Sequence, residues 1–406
     1  MTTHKQLPPP ERDRVSVGYL RLADSAPLIL ARESGLFTRY GLDVELVREV
    51  TWANLRDKLV VGKLDAAQML APLPMMTSFG AGGMRANMLT GLSMSLSGNA
   101  ITLSGGLWER MNGSLGSVSG DTVTEPVETA RGLAAVLKGS PGGLITLATV
   151  HAFSMHTFLL RLWLQAGGID PDRDVRIIVL PPEQMCDSLA RGIIDGFCVG
   201  EPWNTVAVQQ GIGVVAAAGY HIWNNAPEKV LSVMESWHNQ HPATHLRLRL
   251  AIMEASLQLR NPEHRTRVAE LLSQPDYLDM PVKALLPALS GEFVFSKNAS
   301  PVAIPDFHVF SRYHAGFPWR SHAEWMIRQS SSLLGKAISS DDCRSLVQQC
   351  YRPDLYREAA RYLGMAAPDC DIKSEGHHSE PWDLAPGITL GADLMVCGQT
   401  WEPSAG

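Results

Sequence analysis

The chain repeats itself at long range. Residues 57–72 read DKLVVGKLDAAQMLAP, and residues 187–202 read DSLARGIIDGFCVGEP. Asp57 aligns with Asp187, Gly62 with Gly192, Asp65 with Asp195 and Pro72 with Pro202, each pair 130 residues apart. Each copy reads as a helix end, a glycine-containing turn, a short apolar strand and a loop broken by proline. The same spacing relates APLILARESGLFTRYGLDVELV, from Ala26, to HTFLLRLWLQAGGIDPDRDVRIIVL, from His156. Strand-like runs precede both, VSVGYLRL at 15–22 and LITLATV at 144–150. The unit is strand–helix–strand–helix–strand, which predicts parallel α/β packing. The period is too long for a solenoid. Two such units predict two α/β lobes with parallel-rich sheets around a central cleft. Ligands of such sheets bind beyond the carboxyl ends of the strands, so the cleft is the expected site.

The length of 406 residues gives each lobe room for a core of its own. The expected organisation is a disordered N-terminal arm over 1–13, a first lobe over 14–140, a second over 141–239, helices over 240–365 returning to the first lobe, and a loop-rich tail over 366–406. Within the first lobe, the Gly-, Ser- and Met-rich stretch 80–140 reads as strands and loops crossing the cleft. The net charge is −6 and no run of five like charges occurs, so nothing suggests a nucleic-acid footprint. Three prolines and an ERDR stretch fill the start, where a secretory signal would need ~7–15 apolar residues. A cytoplasmic location is the expectation, a trimmed export signal the alternative. Cys186, Cys198, Cys343, Cys350, Cys370 and Cys397 form no C-x-x-C pair and read as reduced thiols.

Several residues could hold a ligand. His156 begins the apolar helix of the second lobe, where free N–H groups and the helix dipole favour an anion; a capping or buried histidine is the plain alternative. Lys229, in NNAPEKVLSVMESW, could bring a full charge and three donors, or be a solvated surface lysine. Trp52, in EVTWANLRDKL, could offer an indole N–H or sit in the core. Asn99, in SLSGNAITLS, could donate its amide or serve a turn. Gly200 would let a backbone approach a ligand closely. Glu201 would repel an anion and is expected to pair with a cation or cap a helix. No G-x-S-x-G, H-E-x-x-H or P-loop occurs, and His151 and His156 lie five apart, unsuited to metal ligation on one helix. No enzyme, cofactor or metal is expected.

The segments APLILARESGLFTRYGLDVEL, WANLRDKLVVGKLDAAQMLAPLP, WLQAGGIDPDRDV, IDGFCVGEPWN and PEKVL resemble the nitrate/bicarbonate substrate-binding proteins of the NrtA type, over roughly residues 14–365. The resemblance implies a bilobed type II periplasmic-binding-protein fold. It implies a nitrate site of Trp52, Asn99, His156 and Lys229 with backbone near Gly200. Asn99 departs from the family, which usually has glutamine there. Bicarbonate-binding relatives carry an acidic residue in place of Lys229 and recruit calcium, so Lys229 implies a monovalent anion without a metal. A stand-alone member of the family without an export signal resembles the cytoplasmic nitrate/nitrite sensors of the NasS type, which hold an RNA-binding antiterminator of the NasT type and release it when the anion binds. The expectation is therefore a sensor in which the anion bridges His156 and Lys229 of the second lobe to Trp52 and Asn99 of the first. The alternatives are an ABC-transport receptor that docks on a permease, a binder of a sulfonate or bicarbonate, and a pyridoxal-phosphate-dependent pyrimidine synthase, for which the lone Cys198 is too little.

Overall fold

The computed structural model describes residues 7–115, 125–139 and 144–404. Ten main strands run in chain order: β1 (Arg14–Leu20), β2 (Asp43–Glu49), β3 (Ala66–Leu70), β4 (Met88–Ser97), β5 (Asn99–Ser104), β6 (Thr146–Thr149), β7 (Arg176–Val179), β8 (Gly196–Gly200), β9 (Gly213–Ala218) and β10 (Pro227–Met234). They form two sheets. The first has the order β4-β10-β3-β1-β2, with the short strand His308–Val309 added beside β4. The second has the order β7-β6-β8-β5-β9. In each, a parallel trio (β2-β1-β3 or β7-β6-β8) is extended by an antiparallel strand, β10 or β5. The two sheets thus share one topology, as the repeat requires.

The repeat is visible in single hydrogen bonds. The Asp65 carboxylate accepts from the Ser16 backbone N–H at 2.8 Å, and the Asp195 carboxylate accepts from that of Thr146 at 2.8 Å. Each aspartate donates its own N–H back to the same partner's carbonyl. The helix before each aspartate ends on a glycine in the left-handed region, Gly62 (φ 70°) and Gly192 (φ 65°). A side chain there would be strained, which is why both copies keep glycine. Apolar residues between these fixed points, Leu55, Leu59 and Leu64 in one lobe and Met185, Leu189 and Ile194 in the other, turn into the core.

The lobe boundaries differ from the expected 140/141 and 239/240. The chain leaves the first sheet at Ser97–Gly98, both at positive φ (57° and 89°), and enters β5 of the second sheet at once. It returns through the Asn225 turn into β10 of the first sheet. Asn99 therefore belongs to the second lobe and Lys229 to the first, the reverse of the expected assignment. The physical reason is that an antiparallel strand from the neighbouring stretch of chain completes each parallel trio. Such a strand, buried on both faces, carries no alternation that reveals its sheet.

The N-terminal stretch 7–13 is tied down rather than disordered; residues 1–6 lie outside the described residues. The Glu11 carboxylate accepts from the backbone N–H groups of Ala243 and Thr244, both at 2.9 Å, at the start of the helix Pro242–Gln258. Arg12 pairs with Asp65 at 2.9 Å. The tail is mostly irregular, with one hairpin, Trp382–Ala385 against Ile388–Leu390. Its anchor is Glu375, buried between the Lys373 ammonium and His322 Nε2, the latter at 2.6 Å. The six cysteines are free. Among the described residues no helix is long and apolar enough to cross a membrane.

Burial works against the Glu375 carboxylate, but Lys373 and His322 hold its pKa down to about 2. Its stabilisation is complete above the ~4.3 of a free glutamate and is lost as pH falls towards the folded value. Glu375→Ala leaves Lys373 buried without its partner and should cost about 3–5 kcal/mol in urea unfolding at neutral pH. An unchanged urea midpoint would show that the tail does not brace the fold.

Candidate ligand site

The site forms where strands end and helices begin. After β1, a single turn at Ala23–Ser25 carries Asp24. After β2, Thr51 caps the helix Trp52–Val60 by accepting from the Asn54 N–H at 3.1 Å, which fixes Trp52 as its first residue. Gln68 projects from β3, and Glu228 and Lys229 from β10. From the other lobe come Asn99, first residue of β5, and Gly200, last residue of β8 and its register partner. Ser154 caps the helix Met155–Ala166 by accepting from the Thr157 N–H at 3.1 Å, placing His156 in its first turn.

Two successive residues of β10 reach the site because the strand is bulged. Pro227 pairs with Leu96 and Lys229 with Ser95, so Glu228 has no register partner on β4. A bulge of this kind re-aims a side chain that regular pleating would send to the other face.

The structure brings together all five residues named from the sequence: Trp52, Asn99, His156, Gly200 and Lys229. The side chains of the four with a functional group are buried. The Lys229 ammonium touches the Glu228 carboxylate and lies 2.9 Å from Asp24 Oδ2. It also lies 5.3 Å from the centre of the Trp52 ring, in cation–π range. Asp24 Oδ1 accepts from Gln68 Nε2 at 2.7 Å. Glu228 Oε2 accepts from Asn99 Nδ2 at 2.7 Å. His156 Nε2 lies 3.1 Å from Glu228 Oε1, but the ring is not aligned for a hydrogen bond and neither ring nitrogen has one. Trp52 Nε1, Gln68 Oε1 and Asn99 Oδ1 are also buried and without partners among the described residues. A buried polar atom left unpaired costs about 1–3 kcal/mol, so such a set is arranged for a further polar group.

The electrostatics divide the site. Burial, helped by the nearby Lys229 charge, holds the His156 ring well below its ordinary pKa, so it faces the site neutral, with one N–H. Burial also opposes the Lys229 charge, but Asp24 and Glu228 outweigh it and raise its pKa. Burial raises the pKa of Glu228, against the pull of Lys229.

The two lobes meet over the site. The Ala23 backbone N–H donates to the Glu201 carbonyl at 2.8 Å, and Arg21 pairs with Glu183 at 2.9 Å. The Glu201 side chain caps a helix, one of its two expected roles: Oε2 accepts from the Thr205 N–H at 3.3 Å at the start of Trp203–Gln210. Sequence reasoning missed Asp24, Gln68 and Glu228. Asp24 could have been found from its place just past β1, where such sheets bind ligands. Glu228 lies inside the PEKVL segment, but only the bulge reveals its direction.

Comparison with known proteins agrees with this architecture. The sequence model described as the NMT1-like family matches residues 8–273. The nitrate import ATP-binding protein NrtC of Synechocystis is 36% identical over 386 residues, covering 94% of this chain and 55% of that protein. The chain thus spans about half the length of the first curated relatives it matches. The nitrate/nitrite binding protein NrtA of Synechococcus elongatus is 31% identical over 404 residues, covering 97% of this chain and 84% of that protein. The crystal structure of the periplasmic nitrate-binding protein NrtA from Synechocystis superposes with a TM-score of 0.80 at 26% identity, covering 95% of this chain and 97% of that one. The alkanesulfonate-binding protein SsuA from Xanthomonas axonopodis shares the fold alone, at 16% identity and a TM-score of 0.55. The fold is that of the type II periplasmic binding proteins.

Burial raises the pKa of Glu201 to about 7, against the hydrogen bonds from Thr205 and Asn204. A raised carboxyl pKa gives stability that is complete below the unfolded value of ~4.3 and is lost as pH rises through the folded one, here a loss on the order of 3 kcal/mol. Glu201→Gln keeps the cap and removes the titration. Relative to wild type, its urea stability should therefore rise by a similar amount between acid and mildly alkaline pH. A constant difference across that range would contradict this account.

Proposed function

The chain belongs to the NMT1-like family, and we propose that it is a binding protein rather than an enzyme, whose cleft captures a small monovalent oxyanion of the nitrate or nitrite type. The observation that carries this reading is the buried donor set. The Lys229 ammonium and the unpartnered N–H groups of Trp52 and His156 converge from the two lobes, with Gly200 leaving room beside His156. An ammonium and neutral N–H donors suit an oxyanion that accepts several charge-assisted hydrogen bonds. The donors come from both lobes, so they surround the anion only when the lobes are together. Binding then favours the closed form.

The relatives carry names of nitrate and bicarbonate transport components. For this chain we therefore propose the role of substrate-binding component of an ABC-type importer, which would hand the anion to a permease. A cytoplasmic sensor that releases a NasT-type antiterminator would use the same closure. The relatives' names favour the importer. The two roles differ in what recognises the closed lobes: a membrane permease or a soluble RNA-binding protein.

Calorimetric titration with nitrate, nitrite and bicarbonate tests the ligand class. Nitrate or nitrite should bind one to one. Lys229→Ala should weaken binding at least ~30-fold, the lower end of the ~2–5 kcal/mol lost when one partner of a buried charge pair is truncated. Failure of all three anions to bind folded protein would refute the oxyanion reading. Gly200→Ala is a finer probe. A Cβ there would sit 3.7 Å from Asp24 Oδ2 and from His156 Nε2, ordinary contact distances that leave the fold undisturbed. The variant should melt like wild type yet bind more weakly, because the added methyl takes space inside the site. Unchanged affinity would place the anion away from Gly200.

A further inference from the structure

The donor set has an occupant of its own. Asn99 Nδ2 donates to Glu228 Oε2 at 2.7 Å, the Lys229 ammonium touches Oε1, and His156 Nε2 lies 3.1 Å from the same oxygen. These are three of the residues expected to hold the external anion. A carboxylate is itself a planar oxyanion and presents the same kind of acceptor atoms. The bulge in β10 aims Glu228 into the site in addition to Lys229. Glu228 is fully enclosed, so its oxygens are shielded from bulk solvent.

Charge makes this occupancy consequential. Counted as ions, Asp24 and Glu228 against Lys229 leave the buried cluster with a formal charge of −1. A monovalent anion would raise that to −2 in a site closed off from bulk solvent, where charge repulsion is poorly screened. The other groups around Glu228 do not offset it. Gln68 of β3 and Asn99 of β5 are neutral amides. Trp52 is an indole, and Cys198 of β8 a buried thiol with its pKa pushed well up by burial and the Glu228 charge. His156 stays neutral. His308, on the short strand beside β4, is pressed against Gly98 and held to about 3 by burial and by Lys229.

We propose that Glu228 is a tethered competitor for the anion site, and that an external anion binds only as Glu228 takes up a proton from solvent, one proton for each anion. The inference rests on the oxyanion reading of the site. The proton goes to a Glu228 carboxylate oxygen and no covalent bond to the anion forms. The neutral carboxyl releases its hold on Lys229 and Asn99, so both can turn to the anion. Its O–H becomes one more donor to the bound oxyanion. The net charge of the occupied cluster then returns to −1. Glu228 thereby couples the affinity of the site to pH and ranks anions by how well they accept from a carboxyl O–H. Nitrite and bicarbonate, the more basic acceptors, should gain more from it than nitrate.

The test is calorimetric titration of the full chain with nitrite and with nitrate, in buffers of low and high ionisation enthalpy, from mildly acid to alkaline pH. Wild type should take up about one proton per anion, and its affinity should fall about tenfold per pH unit above the apo pKa of Glu228. Glu228→Gln, close in shape but unable to titrate, should bind without proton uptake. Its affinity should be flat with pH and exceed that of wild type at alkaline pH. Asp24→Asn should keep the proton uptake, which separates the two carboxylates. Binding by wild type without proton uptake would overturn the coupling while leaving the oxyanion reading intact. So would loss of binding in folded Glu228→Gln, since the carboxylate would then be a required partner rather than a competitor. Absence of binding by wild type at every pH would instead remove the oxyanion reading itself, and the coupling with it.

Discussion

A lysine ammonium held out of water between two carboxylates is the interaction around which the rest of this molecule is arranged. Lys229 is enclosed completely, and so are its partners Asp24 and Glu228. An isolated buried charge would neutralise itself; this one is kept because oppositely charged oxygens lie within bonding distance. The three residues come from different places: the turn after β1 supplies Asp24, and the bulged β10 supplies both Glu228 and Lys229. Only a sheet that sets β10 beside β3, which in turn lies beside β1, brings them together. The strand order of the first lobe is thus the order the charge cluster needs.

How much of this was legible in the sequence depends on how local the governing geometry is. The 130-residue repeat was readable because its fixed points are local. Gly62 and Gly192 sit at positive φ, and Asp65 and Asp195 close matching hydrogen bonds, so the residue types recur wherever the geometry does. Membership of the crossing strands was not readable. β4 is buried along its whole length and β5 and β10 nearly so, and a strand buried on both faces does not name its neighbours. The sequence therefore marks Lys229 and Asn99 as candidate site residues but points to the wrong lobes for them. Glu228 was passed over for a related reason. One residue before a ligand lysine in a regular strand points away from the ligand, and the irregular register that reverses this is a tertiary feature. The tail shows the same limit. Its loop-rich character follows from composition, whereas the buried Glu375 that anchors it is paired with His322, far away in sequence.

The two lobes look alike in topology and differ in charge. Asp24, Gln68, Glu228 and Lys229 all lie on the first lobe. Asn99, His156 and Gly200, from the second, are neutral, His156 because burial and Lys229 keep it so. This division has a consequence for motion. Were the ion pairs split between lobes, each opening would separate opposite charges and each closure would have to desolvate them anew, at a cost of several kcal/mol per ion. With the pairs of Lys229 to Asp24 and Glu228 inside one lobe, opening would hydrate them without breaking them. Closure would then add neutral donors, and the backbone contact of Ala23 with Glu201, the pair Arg21–Glu183 and the Asn99–Glu228 hydrogen bond would be the interactions made and broken.

That arrangement also explains how a two-lobed binder can respond to its ligand without excessive stability in either form. A ligand shifts the balance of open and closed forms only by the difference in its interactions with them. On the proposed oxyanion reading the first lobe would meet the anion in both forms, through Lys229, and that contact alone would shift nothing. The difference would come from the neutral N–H of His156 and the amide of Asn99, which lie on the second lobe and would reach the anion only on closure. Neutral donors to a charged acceptor supply hydrogen bonds of moderate strength, roughly 1.5–3 kcal/mol each. A few of them add up to the ~5.5 kcal/mol that carries a two-state balance from one side fully to the other, and little beyond it. A second lysine in place of His156 would bind an anion more tightly but would hold the lobes shut. The neutral second lobe keeps the closed form dependent on the ligand.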